Sequence, residues 1–189
     1  TSEYYSRLYK TNNWRSTYII SVGIGQGELQ LTTLQMANLA AIIANRGYYY
    51  TPHLLKRFSD SHLLIPENLR TKHIIPVDQK YFPPVIEGME LAVSSGTAKK
   101  GYYDQIVVCG KTGTSQNPHG EDHSVFFGFA PKNNPRIALA VYIENAGWGG
   151  DVAAPVGSLM IEKYLQDSVS RKSLETKMIE LKIKNKTRT

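Results

Sequence analysis

Hydrophobic residues in the second half of the chain form dense runs separated by polar, turn-forming segments. The runs cover residues 107–114, 123–130 and 136–144, and the five-residue turn 131–135 joins the last two. Runs rich in β-branched and aromatic residues and bounded by turn signals predict strands. Because the connections are short, we expect the strands to pair antiparallel, one after another.

The clearest helix pattern lies at residues 34–44. Thr32 and Gln35 form a capping-box pattern at its start, and Asn-Arg-Gly follows at 45–47 as a stop. Apolar side chains cover nearly the whole circumference of this helix. We therefore expect it to be buried on most sides.

Two further helices are predicted. Asp78 caps the first, which runs through residues 87–93, and Pro83 and Pro84 are expected to confine its regular part to the C-terminal portion. The second, at residues 152–165, is amphipathic. Helices before and after consecutive antiparallel strands predict an α+β fold, an antiparallel sheet flanked by helices.

The remaining segments carry weaker patterns. Residues 1–10 are polar and rich in tyrosine without a clear period, and the apolar run within 18–27 breaks into alternating glycines. Those glycines predict a turn with positive φ or close backbone packing. Residues 48–58 are predicted to be extended, and residues 63–65 to form a short strand.

The chain has 189 residues and a formal net charge of +6, which fits one globular domain. Much of the excess lies in residues 162–189, with eight Lys or Arg against four Asp or Glu. Such a tail is typical of a solvated helix or a disordered arm, so nucleic-acid binding is not predicted. We divide the chain into residues 1–166, part of one domain, and the basic tail 167–189.

Membrane and leader signals are not found in this sequence. It has no run of 18 or more apolar residues, and its first residues do not form a signal sequence. We expect the chain as given to be soluble and to be a piece of an anchored protein.

One cysteine, Cys109, excludes an internal disulfide framework and is predicted to be a small buried strand residue. Residues 119–123 hold two histidines and two acidic side chains. They do not share a helical face, and flexible loops of this composition are usually solvated. We predict no metal site and no cofactor.

The first strand run ends in Lys111, Thr112, Gly113 and Thr114. The two threonines are two positions apart and share a face, while Gly113 leaves room for another backbone. An extended peptide bearing a carboxylate can pair with such a strand while the hydroxyls and the ammonium meet its anion. The same residues also fit a surface strand whose lysine and threonines are merely solvated.

Two neighbouring features have open interpretations. Ser115-Gln116-Asn117 follows the strand and fits either a substrate contact at the rim of the site or a loop or cap role. Trp148 stands between two glycines and fits either the lining of a cleft or a packing anchor.

Several motifs, in this order, resemble the C-terminal half of a penicillin-binding protein transpeptidase domain of class B, penicillin-binding protein 2 type. The resemblance covers about residues 21–165. Its motifs are Gly-Gln-Gly at 25–27, Thr-Leu-Gln-Met-Ala at 33–37, Ala-Asn-Arg-Gly at 44–47, Gly-Thr-Ala at 96–98, Lys-Thr-Gly-Thr at 111–114, Phe-Gly-Phe-Ala-Pro at 127–131, Asn-Asn-Pro at 133–135 and Val-Tyr-Ile-Glu-Asn at 141–145.

The resemblance implies a peptidoglycan D,D-transpeptidase that cross-links stem peptides through an acyl-serine intermediate. It implies that Thr112 and Thr114 bind the substrate carboxylate along a docking strand that includes Gly113. The N–H of Thr114 supplies one oxyanion donor, and Lys111 lies beneath the strand and aids proton transfer. β-lactams, which copy the substrate, are expected to acylate the protein.

The serine nucleophile is not in this chain. No S-x-x-K motif occurs, since Thr-Ala-Lys-Lys at 97–100 has the wrong nucleophile and position, and Ser-Gln-Asn at 115–117 follows the strand instead of preceding it. We expect the serine upstream of residue 1 and expect these residues alone to be inactive.

The resemblance also implies partners and a location. The partners are the peptidoglycan stem peptide, β-lactam antibiotics, the missing N-terminal part of the same protein and cell-elongation proteins, at the periplasmic face of the inner membrane. Two missing strands of a five-stranded sheet would pair against residues 136–144, so the chain is expected to need that segment or to self-associate.

Two alternatives stay open. One is a non-catalytic peptidoglycan-binding or scaffolding homologue. The other is a related hydrolase, either a D,D-carboxypeptidase or a β-lactamase.

Overall fold

The protein is described here from a computed structural model. The described residues are 2–10, 15–27, 29–56, 58 and 64–183. The chain forms two compact units, Thr1–Leu31 and Thr32–Thr189. Within the described residues, no helix combines the length and apolarity needed to cross a bilayer.

The first unit contains helices α1 (Ser2–Tyr9) and α2 (Thr17–Gly23). Neither helix was expected from its sequence, because α1 is short and polar and the run in α2 is interrupted by glycine. The turn predicted after α2 is confirmed, since Gly25 and Gly27 have φ values of 78° and 69°.

The second unit begins with α3 (Thr33–Ala44), and its predicted capping box is confirmed. The N–H of Gln35 donates to Thr32 Oγ1 at 3.2 Å, and the N–H of Thr32 donates to Gln35 Oε1 at 2.8 Å. The expected burial on most sides is wrong, because only Ala40 and Ala44 of this helix are buried. Leu34 is 61% exposed.

The region after α3 contains a small two-stranded sheet. β1 (Tyr48–Tyr49) pairs antiparallel with β2 (His73–Ile74), and α4 (Glu67–Arg70) lies between them in sequence. The strand expected at 63–65 is not formed by Leu64 and Ile65, and Leu63 lies outside the described residues. In the segment 48–58, Tyr48 and Tyr49 form a strand, and Arg57 lies outside the described residues.

Helix α5 (Phe82–Ser94) follows a 3₁₀ turn, Gln79–Tyr81. Asp78 caps the 3₁₀ turn and not α5, as had been expected: its carboxylate accepts a hydrogen bond from the N–H of Lys80 at 3.0 Å. The N-cap residue of α5 is Tyr81, which makes no side-chain cap hydrogen bond. The prolines do not shorten the helix as expected. They occupy its first turn, where a missing N–H costs no intrahelical bond.

The main sheet consists of β3 (Cys109–Ser115), β4 (His123–Ala130) and β5 (Ile137–Ile143) in the order β3-β4-β5. Both pairings are antiparallel, as predicted. The first strand begins two residues later than expected. In the described part of the chain, β3 and β5 are the edges of this sheet.

Helices cover both faces of the main sheet, which confirms the α+β fold. α6 (Ala153–Gln166) packs on β4 and β5 on one face, where Phe126 and Ile161 lie in the core. Phe129 and Cys109 lie in the core on the other face, which α3 and α5 contact. The predicted burial of Cys109 is confirmed, and this burial, together with the nearby Glu90 carboxylate, raises the pKa of its thiol to about 11.

The basic tail begins with a docked segment and continues into α7 (Lys172–Ile179). Arg171 Nε donates to the carboxylate of Glu162 at 2.7 Å, and the Glu162 side chain is fully buried. Ser170 Oγ donates to the same carboxylate at 2.7 Å, and Arg171 also donates to Ser158 Oγ at 2.8 Å. The start of the tail is therefore part of the packed structure and not a free arm.

The charge of Glu162 depends on these hydrogen bonds. Burial by itself raises the pKa of the carboxyl, but the hydrogen bonds from Ser170 and Arg171 outweigh it and hold the pKa below its ordinary value. Arg171, whose side chain is 16% exposed, and fully buried Glu162 thus form an ion pair. Without Arg171, the Glu162 carboxylate would be buried with no cation beside it.

We expect Arg171→Met to lower the free energy of unfolding by about 3 to 5 kcal/mol, because it leaves a buried carboxylate without its cation. The matched control is Lys172→Met, which removes an exposed ion pair with Glu175 and is expected to cost at most about 1 kcal/mol. Urea unfolding followed by circular dichroism measures both. Equal losses for the two variants would contradict the assignment.

A pH dependence follows from the lowered pKa of Glu162. A carboxylate with a depressed folded pKa contributes stability that is present above its unfolded pKa, about 4.3, and is lost as the pH falls through the folded value. We expect the stability difference between wild type and Glu162→Gln to shrink below about pH 4. Unfolding curves from pH 7 to pH 3 test this, with the exposed Glu144→Gln as control; a difference that is constant with pH would contradict it.

Candidate functional site

The C-terminal half of β3 fronts a cavity of about 510 Å³. The four residues singled out from the sequence all contribute to its lining. The described residues that line it are Thr97, Lys111, Thr112, Gly113, Thr114, Trp148, Gly149, Gly150 and Asp151. The strand therefore borders a groove.

The pleat of β3 separates its threonines from its lysine. Thr112 is paired with Phe126, whose ring lies in the core beneath α6, so Thr112 and Thr114 lie on the α6 face. Lys111 starts from the opposite face, and its Nζ donates to the carbonyl oxygen of Thr112 at 2.6 Å. The two hydroxyls and the ammonium thus approach one stretch of backbone from different sides.

A loop after β5, residues 148–151, forms one wall of the cavity. Ser124 fixes this loop, because its Oγ donates to the carbonyl of Trp148 and accepts from the N–H of Ala153, each at 3.0 Å. The N–H of Gly149 points to Thr114 Oγ1 at 3.5 Å. Of the two interpretations of Trp148, the lining of a cleft is the one confirmed, and its side chain is 74% exposed.

Gly149 lies so close to β3 that no side chain fits there. A Cβ at this position would lie 2.3 Å from the carbonyl oxygen of Gly113 and 2.4 Å from that of Val125. Contacts this short do not occur for real Cβ atoms, so a larger residue must push the loop away from the strand. The glycine sets the width of the cavity.

A second wall comes from the turn after α5, which carries Thr97. Thr97 Oγ1 lies 2.7 Å from Thr112 Oγ1. Lys100 pairs with Asp151 at 2.8 Å, with side chains 62% and 53% exposed, so this pair contributes at most about 1 kcal/mol. The Gly-Thr-Ala motif at 96–98 was the available signal for this wall.

Ser115 is the last residue of β3, and Asn117 has a loop role. Asn117 Nδ2 donates to Asn145 Oδ1 at 2.7 Å, and the N–H of Asn145 donates to His123 Nδ1 at 3.1 Å.

In the described part of the chain, no group of three or more His, Cys, Asp or Glu side chains is placed to hold a metal.

The arrangement can hold an extended chain at the outer edge of β3 and offer hydroxyl donors to an anion at its end. Hydroxyl donors to a charged acceptor form stronger hydrogen bonds than neutral pairs. Among the residues that the structure describes, those lining this cavity include threonines but no serine.

We expect Gly149→Ala to destabilise the protein by about 1 to 3 kcal/mol, because the added methyl group overpacks the contact with β3. Gly88→Ala is the matched control, since a Cβ at Gly88 meets nothing within 4 Å and alanine favours the helix by up to about 1 kcal/mol. Thermal unfolding of both variants tests the contact. A Gly149→Ala variant as stable as wild type would show that the loop does not press on the strand.

Comparison with known proteins places this chain in a family. The family model of the penicillin-binding protein transpeptidase domain matches residues 2–162. The peptidoglycan D,D-transpeptidase MrdA of Haemophilus influenzae is 32% identical over 189 residues, covering 87% of this chain and 28% of that protein.

Solved structures give the same result. Pseudomonas aeruginosa PBP2 in complex with WCK 5153 matches with a TM-score of 0.71 and 33% identity, covering 89% of this chain and 37% of that chain. A ceftriaxone acyl-enzyme of penicillin-binding protein A from M. tuberculosis matches with a TM-score of 0.69 and 30% identity, covering 77% and 35%. The chain spans less than a third of the length of the MrdA relative. It belongs to the penicillin-binding protein transpeptidase domain family.

Proposed function

We propose that this chain forms the substrate-docking part of a peptidoglycan D,D-transpeptidase. The observation that carries the proposal is the position of Lys111, Thr112, Gly113 and Thr114, at an edge of the sheet and in front of a cavity. The family membership and the relatives named as D,D-transpeptidases support it.

The substrate in this proposal is a stem peptide that ends in a carboxylate. The peptide pairs with the outer edge of β3 as an additional strand, and Gly113 has no side chain to obstruct it. The hydroxyls of Thr112 and Thr114 donate to the terminal carboxylate. A hydrogen bond to a charged group contributes about 1.5 to 3 kcal/mol, enough to select a peptide with a free carboxylate.

The reaction requires a serine from sequence outside these 189 residues. The serine attacks the carbonyl of the penultimate residue, the terminal residue leaves as an amine, and an amine of a second stem peptide then displaces the serine. The N–H of Thr114 supplies one oxyanion donor, worth about 3 to 4 kcal/mol of barrier. Lys111 keeps the site positive and assists proton transfer.

β-lactams are a second ligand class in this proposal. A β-lactam presents a carboxylate and a strained carbonyl in the arrangement of the peptide, so the same serine is acylated and the same threonines bind the carboxylate. The acyl-enzyme of the mycobacterial relative supports this part of the proposal.

The N-terminal part of the same protein is the first proposed protein partner. Leu34 and Leu39 on α3 are 61% and 38% exposed, and β5 is an edge of the main sheet among the described residues. Apolar surface and an open strand edge are features that proteins normally cover. Preceding strands and helices would cover them and bring the serine, so residues 1–189 alone are proposed to be inactive.

The proposed location is the periplasmic face of the inner membrane, where peptidoglycan is cross-linked. Cell-elongation proteins are the proposed assembly partners, in line with the penicillin-binding protein 2 type. Both statements depend on the D,D-transpeptidase relatives.

Fluorescent penicillin labelling tests the proposal. We expect an upstream-extended protein that includes the serine to be labelled, while residues 1–189 alone stay unlabelled. Lys111→Ala in the extended protein is expected to slow labelling by about 100-fold or more, because it removes a group that supports proton transfer.

The matched control is Lys80→Ala. Lys80 is an exposed lysine that pairs with Asp78 and is distant from β3 in the sequence. It is expected to label like wild type. An extended protein that contains S-x-x-K, folds cooperatively and is still not labelled would overturn the proposed function and favour a non-catalytic homologue.

A further inference from the structure

The hydroxyl of Thr97 is in hydrogen-bond contact with a proposed substrate-binding group. Thr97 Oγ1 and Thr112 Oγ1 are 2.7 Å apart, and both residues line the cavity. This is the usual distance for a hydrogen bond between two hydroxyls. Thr97 lies 15 residues before Thr112, so the contact is a tertiary one.

The turn that carries Thr97 is held from α5. The N–H of Gly96 donates to the carbonyl of Leu91 at 2.9 Å, and the N–H of Ala98 donates to that of Ala92 at 2.8 Å. Ala98 is fully buried. Thr97 is therefore fixed on both sides by residues whose backbones are bonded to the end of the helix.

The loop 148–151 lies against the turn that carries Thr97. A Cβ at Gly150 would lie 2.0 Å from the carbonyl oxygen of Thr97, so the two backbones are in close contact. Further along, the carbonyl of Gly101 accepts a hydrogen bond from Ser158 Oγ on α6, and the carbonyl of Tyr102 accepts one from Arg171 at 3.2 Å. The docked start of the tail thus also holds this wall.

The direction of the hydrogen bond determines what Thr112 can offer. Each hydroxyl has one proton. If Thr112 donates to Thr97, its proton is not available to a ligand. If Thr97 donates to Thr112, the Thr112 proton is free to point into the cavity. The hydrogen bond from Thr97 then strengthens the one that Thr112 donates to a ligand, because successive hydrogen bonds polarise one another.

On the basis of the proposed function, we propose that Thr97 is a positioning residue that donates to Thr112 and so directs the Thr112 hydroxyl to the carboxylate of the substrate. Thr97 need not touch the substrate. It determines how well a carboxylate is recognised, and its removal affects ligand binding more than the acylation step.

The test uses the serine-containing full-length protein and the kinetics of its acylation by benzylpenicillin. Thr97→Val keeps the shape and removes the hydroxyl. We expect the half-saturating concentration to rise about tenfold, the size of one lost hydrogen bond, while the maximal acylation rate changes less than about twofold. Thr97→Ser restores the hydroxyl and is expected to behave like wild type.

Two further measurements separate positioning from a structural role. The methyl ester of benzylpenicillin lacks the carboxylate anion. With this ester, the ratio of the half-saturating concentrations of Thr97→Val and wild type is expected to fall towards one. In a Thr112→Val background, Thr97→Val is expected to have no further effect, because the group it positions is gone. Thr71→Val, which removes an exposed hydroxyl bonded to the carbonyl of Glu67, is the control.

The outcomes are distinct. A wild type that is not acylated overturns the proposed function and this inference with it. If wild type is acylated, three results overturn the inference alone. The half-saturating concentration of Thr97→Val equals that of wild type, it rises equally for benzylpenicillin and its methyl ester, or the effects of Thr97→Val and Thr112→Val are additive. If Thr97→Val does not fold, as judged by its unfolding midpoint, Thr97→Ala replaces it in the same comparisons.

Discussion

The contact between the loop 148–151 and β3 is the constraint on which the site depends. β3 uses one edge to pair with β4, and its other edge is unpaired among the described residues. The groove at that edge exists only because Gly149 and Gly150 allow the loop to lie against the strand and the Thr97 turn. Buried Ser124 ties the same loop to β4 and to the start of α6, so the sheet, the loop and the helix form one rigid frame.

The tail extends this frame beyond the matched family region. Glu162 is the last residue of that region, and its buried carboxylate is satisfied by Ser170 and Arg171, which follow it. Arg171 then reaches the carbonyls beside the 3₁₀ turn Lys99–Gly101. The ion pair of Glu162 and Arg171 is thereby connected to the turn that carries Thr97.

Much of the fold was predictable because its signals are local. The period of the strands, the capping box at Thr32 and the motif at 111–114 are all encoded in a few neighbouring residues. The errors came from tertiary context. The apolar surface of α3 indicates that the helix has partners but not that only Ala40 and Ala44 are buried. Two prolines fit a first turn as readily as they interrupt a helix.

The site was only half predictable for the same reason. Lys111, Thr112, Gly113 and Thr114 are adjacent in sequence, whereas the walls of the cavity come from Thr97 and residues 148–151. No periodicity joins Thr97 to Thr112 or Lys100 to Asp151; only the packing of α5 and α6 on the sheet does. Likewise, nothing local in the tail marks Arg171 as the partner of Glu162.

A crystal structure of the serine-containing protein acylated by benzylpenicillin tests the central claim most directly. We expect the ligand to lie along the outer edge of β3, with its acyl oxygen near the N–H of Thr114. Its carboxylate oxygens are expected about 2.6 to 3.0 Å from the hydroxyls of Thr112 and Thr114. A ligand whose carboxylate contacts other residues, with β3 unoccupied, would contradict it.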